Sequence, residues 1–485
     1  MVQVSQGRLG FKLILGDASK PEVTAYAGLP LVVEAVLAVI AKKQFKALAK
    51  AIGFMSWQTV RRHVLSLVTL ITAGGECIDD LETLRADPGL STLLGFDLSS
   101  PTQMKDFLYR FHQAEDGRPL TKEDDERLTV VGQAQIRPEG PGLRVLVQMG
   151  QHLIDSMQSR RPVQRATVDV DATIIEAHKK QALVAYEGTR GYQPQMAGWA
   201  EQRVWICDEF RDGNVPAEFD LLAFLKKAFC AVPAVVSDRR LRGDSALYNE
   251  AALTWAADEA HVQFAVSADM SPALVSAVVA LPHEVWKSYR TLREDDRQSL
   301  AEEREWAEVD FVPGWARNNK EGATPFRYLA IRVRSRQRDL LVADSQRWKH
   351  FAVVTNMNWG GERLLRWHRE KQGTVEQGHD VTKNELAGGA LPCGRFGANA
   401  AWWRINTLTS NLLQLLKAEA LPAEMGDLKP KGLRFRLFNV AGRLTYHGRQ
   451  IWLRISEKLP VAEAYSRARE VLLRLDRGVA LPAAP

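Results

Sequence analysis

The 485-residue chain holds four cysteines, Cys77, Cys207, Cys230 and Cys393, and none of them stands in a CxxC or Cys/His pair. That scatter argues against a zinc site and against a disulfide-stapled secreted fold, and it suits a reducing cytoplasm. Long hydrophobic runs are scarce as well. The most apolar early stretch, LPLVVEAVLAVIA at 29–41, is short, contains Glu34 and runs into Lys42 and Lys43, so it reads as a buried helix and not as a membrane span. The beginning of the chain shows no basic segment followed by an apolar core and a cleavage site, so no secretory signal is expected. Neither sign of charge dominates: 64 Lys+Arg against 58 Asp+Glu leave a formal +6. That excess permits a polyanionic partner without requiring one, so the distribution of charge matters more than its total. With 46% hydrophobic and 25% charged residues the chain has the composition of a soluble globular protein. Its length argues for two to three domains.

Apolar residues recur at threes and fours from about 30 to 160, which predicts an α-helical N-terminal region. Within it TVRRHVLSLV (59–68) could be a recognition helix carrying Arg61, Arg62 and His63, or more simply a helix with one basic solvated face. The pattern changes at about 163. VQRATVDVDATIIEA, PQMAGWA and RVWICDEFRD read as strands, PAEFDLLAFLKKAF as a helix opening on Pro216, and AVPAVVSDRRLRGDS, NEAALTWAADEA and VQFAVSAD as strand, helix and strand. Three strands followed by alternating helix and strand predict a mixed sheet covered by helices. Residues 271–365 break that rhythm and read as a partly β insertion. Helical text returns at 366–425, a basic segment at 429–458 alternates like a hairpin, and a last helix closes the chain.

Why the most strand-like segment carries two aspartates is the chemical question. Asp169 and Asp171 lie two apart and so face the same side of their strand. A second acid, Asp238 or Asp244, stands in SDRRLRGDS, and a third, Glu376, on a helix after the insertion. Sites in α/β sheets form at the carboxyl ends of strands. Two aspartates from neighbouring strands and a glutamate from a covering helix can bind two hard divalent cations through oxygen, which serves phosphoryl transfer on nucleic acid. Lys383, seven residues past Glu376, shares its face on a regular helix and could meet a phosphate.

In VDVDAT, in LRGDSALYNEAAL with FAVSADM, and in REKQGTVEQGHDVTKNEL followed by LPCGRFGANAAWWRINTLTSNLLQLLK, the chain resembles bacterial insertion-sequence transposases of the DDE type. The narrower likeness is to the group known as IS thirteen-eighty, over roughly residues 20–475. The resemblance implies an α/β, RNase H-like mixed sheet with flanking helices, a partly β insertion and an α-helical N-terminal region. It assigns Asp171, Asp244 and Glu376 as catalytic and metal-binding acids, with Asp169 and Asp238 as understudies, and two Mg²⁺ or Mn²⁺ ions. Many such transposases carry a Tyr-Arg-Glu-Lys signature around the third acid. Glu376 and Lys383 fit it, whereas Arg369 and Gln372 occupy the places of the Tyr and Arg, which leaves Arg369 or Lys371 for the phosphate contact.

The expected organisation is a helical end-binding or dimerisation region at 1–160, a core at 161–270 and 366–425 interrupted by the insertion at 271–365, and a basic DNA-binding segment at 426–485. That last segment brings Lys429, Lys431, Arg434, Arg436, Arg443, Arg449 and Arg454 with no acid before Glu457, and interleaves Phe435, Tyr446 and Trp452. His178, Lys179 and Lys180 could approach the DNA backbone, and Tyr186 and Tyr192 flank a basic turn that could do so. Trp402 and Trp403 read as core. The expected partners are double-stranded DNA, both element ends and target, and a second copy of the chain; no membrane is involved, and the setting is the bacterial cytoplasm. Rival readings are a nuclease on the same core that cuts without joining, and a DNA-binding regulator that has lost catalysis.

Overall fold

The structure, a computed structural model, describes residues 2–4, 13–15, 23–129, 133–289, 302–317, 326–335, 348–447 and 450–476. The chain divides into two compact units. One comprises 121–138 and 154–380; the other comprises 1–120, 139–153 and 381–485. Most of the helical N-terminal region and the basic C-terminal segment therefore belong to one unit, and the sheet with the inserted strands to the other; the expected core segment 366–425 is divided after residue 380, and 121–138 and 154–160 go with the sheet.

The first of these units is organised by a mixed sheet with nine described strands: β1 (Arg165–Ala172), β2 (Gln195–Trp199), β3 (Val204–Glu209), β4 (Asp238–Gly243), β5 (Gln263–Ala268), β6 (Lys287–Ser288), β7 (Glu302–Val309), β8 (Arg327–Ser335) and β9 (Lys349–Thr355). Their order across the sheet is β3-β2-β1-β4-β5-β9-β8-β7-β6. β1, β4 and β5 run parallel, and β2, β3 and β9 are antiparallel to their neighbours. Three antiparallel strands followed by two parallel ones is the RNase H-like arrangement that the element order predicts. The insertion at 271–365 does not stand apart from it: β7, β8 and β9 continue the same sheet beyond β5.

Central strand β1 is buried on both faces, Ala166, Val168 and Val170 on one and Thr167 and Asp169 on the other. A strand needs helices on both sides for that. Helix α1 (Leu221–Ala231) packs on β3. It begins five residues later than Pro216 predicts, because Asp220 adopts a left-handed φ of 50° that separates a preceding turn from the helix proper. On the other side, α2 (Gly361–Arg369) docks Leu364 and Leu365 into a cluster with Trp306, Leu329 and Val353. A 3₁₀ turn, Glu370–Gly373, leads to α3 (Val375–Asp380), which packs against β1 and β2.

In the other unit the helix Phe396–Leu415 is buried nearly all round, as only a central helix can be. It contacts the helices Trp57–Ala73, Pro101–Tyr109 and Pro30–Val39. Trp402 and Trp403 lie inside this core, and Trp402 Nε1 donates to the Ala387 carbonyl at 2.9 Å. The basic segment is not one hairpin. Pro430 starts a helical turn at Pro430–Leu433 that continues as a π turn through Arg434–Phe438, burying Leu433, Leu437 and Phe438. Only Gly442–His447 and Gln450–Arg454 form a hairpin, with Val23–Thr24 added at its edge. The final helix, Ala462–Asp476, packs on Pro30–Val39 and ties Tyr465 Oη to the Ala27 carbonyl at 2.9 Å.

Candidate active site

Register brings the two aspartates together. Arg242 pairs with Asp169 and Gly243 with Val170 across the parallel β1–β4 ladder, so the next step places Asp244 opposite Asp171. Both are just at the carboxyl ends of their strands and on the same face. Asp244 leaves the sheet at once: its Oδ1 accepts from Ala246 N at 3.1 Å and opens a 3₁₀ turn, Ser245–Leu247. Glu376 is in the first turn of α3, where the helix dipole favours a carboxylate.

The three acids feel one another. Burial, opposed by Lys371 and reinforced by the charges of Asp244 and Glu376, pushes the Asp171 carboxyl up to about 6. Lys371 is nearly buried, with its Nζ 3.5 Å from Glu376 Oε1. An ammonium thus stands among the carboxylates and offsets part of their charge. His379, one turn past Glu376, brings Nε2 to 3.9 Å from Asp171 Oδ2 and packs its ring, tilted by 41°, with its centroid 5.1 Å from that of Trp205 of β3. Gly378 makes that approach possible, since a Cβ there would lie 2.6 Å from Trp205 Cζ2. Among the described residues no three His, Cys, Asp or Glu side chains converge closely enough to hold a metal ion. Carboxylate oxygen is the donor type that hard divalent cations prefer.

Asp169 answers the question of the second strand aspartate in a different way. It is fully buried and paired bidentately with Arg242, Nε to Oδ1 at 2.6 Å and Nη2 to Oδ2 at 2.9 Å. Arg242 Nη1 donates to the Trp367 carbonyl at 2.6 Å and lies 3.3 Å from Glu370 Oε2. Thr374 Oγ1 donates to Asp169 Oδ2, and His368 Nε2 donates to the Gly243 carbonyl at 3.0 Å. Asp169 is therefore sealed inside the sheet. It joins β1 to β4 and to the segment that carries Lys371 and Glu376. Arg242, Thr374, His368 and His379 were not singled out by the sequence, although Arg242 is legible afterwards as the basic partner that a buried aspartate requires.

The other candidate residues spread widely. Asp238 stands at the opposite end of β4, bound by Arg165 Nε at 2.7 Å and by Arg240 Nε and Nη2 at 2.8 Å each. Arg369 is half-buried at the end of α2. Lys383 belongs to the other unit, on a π turn at Val381–Glu385. Lys431, Arg436, Arg443 and Arg454 are exposed, while Lys429 Nζ is 4.0 Å from Glu385 Oε1. Arg434 is spent on the fold: it donates to the carbonyls of Thr72 at 2.8 Å, Ile71 at 2.9 Å and Glu385, closing the end of the helix Trp57–Ala73. Arg449 lies outside the described residues. His178, Lys179, Lys180 and Tyr186 are exposed; Tyr192 is buried and stacks on Phe210 with ring centroids 5.1 Å apart.

The strand order gives the RNase H-like fold, and a family match gives the class, an enzyme that cleaves DNA. The family model described as "Transposase DDE domain group 1" matches residues 59–477, so the chain belongs to that family and its function is DNA transposition. Among solved structures it is similar to a cryo-EM structure of the piggyBac transposase synaptic complex with hairpin DNA, at 10% identity and TM-score 0.42, covering 94% of this chain and 82% of that one. No curated protein matches the chain.

Proposed function

We propose that Asp171, Asp244 and Glu376 are the catalytic carboxylates of a transposase that cuts DNA at the ends of its own mobile element and joins the freed 3′-hydroxyls to target DNA. The observation that carries this is the β1–β4 register, which, continued one step past Gly243 and Val170, sets Asp244 opposite Asp171 at one sheet rim, where Asp171 is raised by burial and by the charges of Asp244 and Glu376. The three side chains would hold two Mg²⁺ or Mn²⁺ ions, which supply charge stabilisation to attacking and leaving oxygens. In the first step a water oxygen forms a bond to the scissile phosphorus and the 3′-oxygen leaves as a hydroxyl. In the second that hydroxyl forms a new bond to a target phosphorus and displaces another 3′-oxygen. Each step exchanges one P–O bond for another, so neither an oxidant nor an energy-rich cofactor is required.

The remaining residues position these groups. Asp169, Arg242 and Thr374 fix the Glu370–Thr374 segment to the sheet and so set where Lys371 and Glu376 stand. Lys371 balances the carboxylates and is placed to meet a phosphate oxygen, as is Arg369; Lys383, Lys429, Lys431, Arg436, Arg443, Arg449 and Arg454 provide further phosphate contacts, and Arg434 serves chiefly as a helix cap. Two element ends must enter one target, which favours a homodimeric assembly. Its substrate being DNA, the working site is the nucleoid in the cytoplasm of a bacterium; among the described residues no helix is long and apolar enough to cross a membrane.

The test is incubation of purified protein with labelled duplex bearing the element's ends and a supercoiled target, with Mg²⁺ or with EDTA. Joined products only in Mg²⁺ are expected. Cleavage without joining would instead assign a nuclease, and binding with neither would assign a regulator.

A further inference from the structure

Formal charge is distributed very unevenly along this chain. From Ala35 to Gly75 there is no Asp or Glu, while Lys42, Lys43, Lys46, Lys50, Arg61 and Arg62 all fall there. Taking these six from the 64 Lys+Arg leaves 58, which the 58 Asp+Glu cancel, so this stretch alone accounts for the chain's +6. In the structure it folds as two helices, Lys42–Ala51 and Trp57–Ala73, joined by a short turn. Gly53 takes φ 69° in that turn, and Phe54 N closes it on the Ala49 carbonyl at 2.8 Å. Arg110 donates to the Gly53 carbonyl at 3.3 Å and Gln113 to the Ala51 carbonyl at 3.0 Å, which holds the turn from outside.

Each helix has an unambiguous inner face. Phe45, Leu48 and Ala49 are buried in the first, and Val60, His63, Val64 and Leu67 in the second. His63, which could have belonged to a recognition surface, instead meets Ser99 Oγ at 2.7 Å in the core. That leaves Lys42, Lys43, Lys46 and Lys50 exposed on the first helix, with three of them at four-residue spacing along one edge. The second helix presents Gln58 and the half-exposed Arg61 and Arg62 in its opening turns, behind an N-cap in which Ser56 Oγ accepts from Thr59 N at 3.2 Å. The two openings meet at Trp57, whose ring lies 4.9 Å from Lys42 Nζ and 5.4 Å from the Arg61 guanidinium carbon. None of the six cations has a carboxylate within ion-pair distance among the described residues. Like charges at this spacing repel one another, and a polyanion is what they complement.

We infer that Lys42–Ala73 is a helix-turn-helix DNA-binding surface, in which Gln58, Arg61 and Arg62 at the start of the second helix enter the major groove and the four lysines of the first helix track a phosphate strand. This rests on the transposase reading and deepens it, by naming the residues that would recognise the element's ends. Arg and Gln are the side chains suited to guanine and adenine edges, whereas the lysines carry no sequence information.

The experiment uses the full-length protein and a short mixed-sequence duplex, titrated over a range of salt. Replacing Lys42, Lys43, Lys46 and Lys50 together by Gln should weaken binding more than 10-fold and lower the slope of log affinity on log salt by about 3 to 4. Replacing the same four by Arg should leave both unchanged, which separates charge from folding, and the thermal transition of each variant checks the fold. In selection from a random-sequence duplex library, the Gln58→Ala, Arg61→Ala protein should recover a relaxed or altered consensus while its salt slope falls by only about 1. Unchanged affinity and slope in the Lys→Gln protein, or an unchanged consensus in the second variant, would overturn the inference. Wild-type protein that binds no duplex at all would overturn the transposase reading itself.

Discussion

Asp169 and Asp171 sit two residues apart on one strand and one face, yet the protein treats them oppositely. Asp169 is sealed: its two oxygens take Arg242 and Thr374, and the charge is cancelled inside the sheet. Asp171, one step nearer the rim, feels the charges of two further carboxylates, offset by a shared lysine and by a hydrogen bond from Ala172 N at 3.0 Å. A buried ion pair with its hydrogen bonds complete fixes geometry, whereas crowded carboxylates store electrostatic cost that a bound cation would relieve. On the proposed reading, the first region is built to stay as it is and the second to acquire a cation.

The largest expected effect breaks the open half. Asp171→Asn, Asp244→Asn or Glu376→Gln should each lower metal-dependent cleavage by at least ~1,000-fold, about 4 kcal/mol of barrier, with end binding retained. Gel assays of cleavage and binding on the same preparations check this, and full activity in any one removes that residue from the triad. Breaking the closed half should instead cost stability. Arg242→Met leaves Asp169 buried and unpaired and should destabilise by about 3–5 kcal/mol, while Asp169→Leu with Arg242→Met should recover much of that loss in denaturant melts. If the double variant is no more stable than the single one, the pair's value lies elsewhere.

His368 sharpens the contrast through pH. Burial, with the charges of Lys371 and Arg242, pushes it down to about 4, and its hydrogen bond to Gly243 requires the Nε2 proton of the neutral ring. Between pH 6.5 and 4 the unfolded chain takes up a proton that the folded one refuses, so this contribution is complete above 6.5 and is lost as pH falls toward 4. At most about 3 kcal/mol is involved, and melts of wild type against His368→Gln across that range should show the wild type losing more. His63, pushed down to about 4 in the other unit, continues to titrate in both proteins and so cancels in the comparison. A smaller effect is expected at the seam between α3 and β3. Gly378→Ala must displace Trp205 and should cost about 1–3 kcal/mol. Activity should fall by more than that stability loss explains, since the same helix carries Glu376.

Much of this architecture is legible in the residues themselves. Alternating Val168, Asp169, Val170 and Asp171 specify a strand and the face the acids share, and the change of period at about 163 marks the start of the sheet. The order of three strands, helix, strand, helix and strand indicates the mixed sheet, and the rim position of Asp244 follows from its place after SDRRLRG. Long-range pairing is not legible. That Asp169 would meet Arg242 depends on a register between strands 73 positions apart in sequence, and nothing local announces it. Of the insertion's strands, FRYLAIRVRSR and HFAVVTN read as β, whereas the charged text REDDRQSLAEEREW reads as helical and instead enters β7 at Glu302. Their continuation of the same sheet depends on β9 finding β5. The basic segment misleads for a different reason: Pro430 and the spacing of Leu433, Leu437 and Phe438 support a helical turn as well as a strand, and packing decides between them.

The most direct measurement is the thermal transition of wild type and Asp171→Asn, side by side at pH 7, without metal and with millimolar Mg²⁺ or Mn²⁺. Asp171 is raised to about 6 in the folded chain, against an ordinary carboxyl near 3.8. The folded state therefore holds that proton more tightly, and the advantage is full below 3.8 and lost as pH rises through 6, so that the ionised group is a burden at pH 7. Removing its charge should stabilise the metal-free protein by about 2 kcal/mol, and divalent metal should raise the wild type while moving the variant far less. A variant that melts no higher than wild type without metal, with both proteins responding equally to the ions, would contradict the assignment of this rim as the catalytic centre.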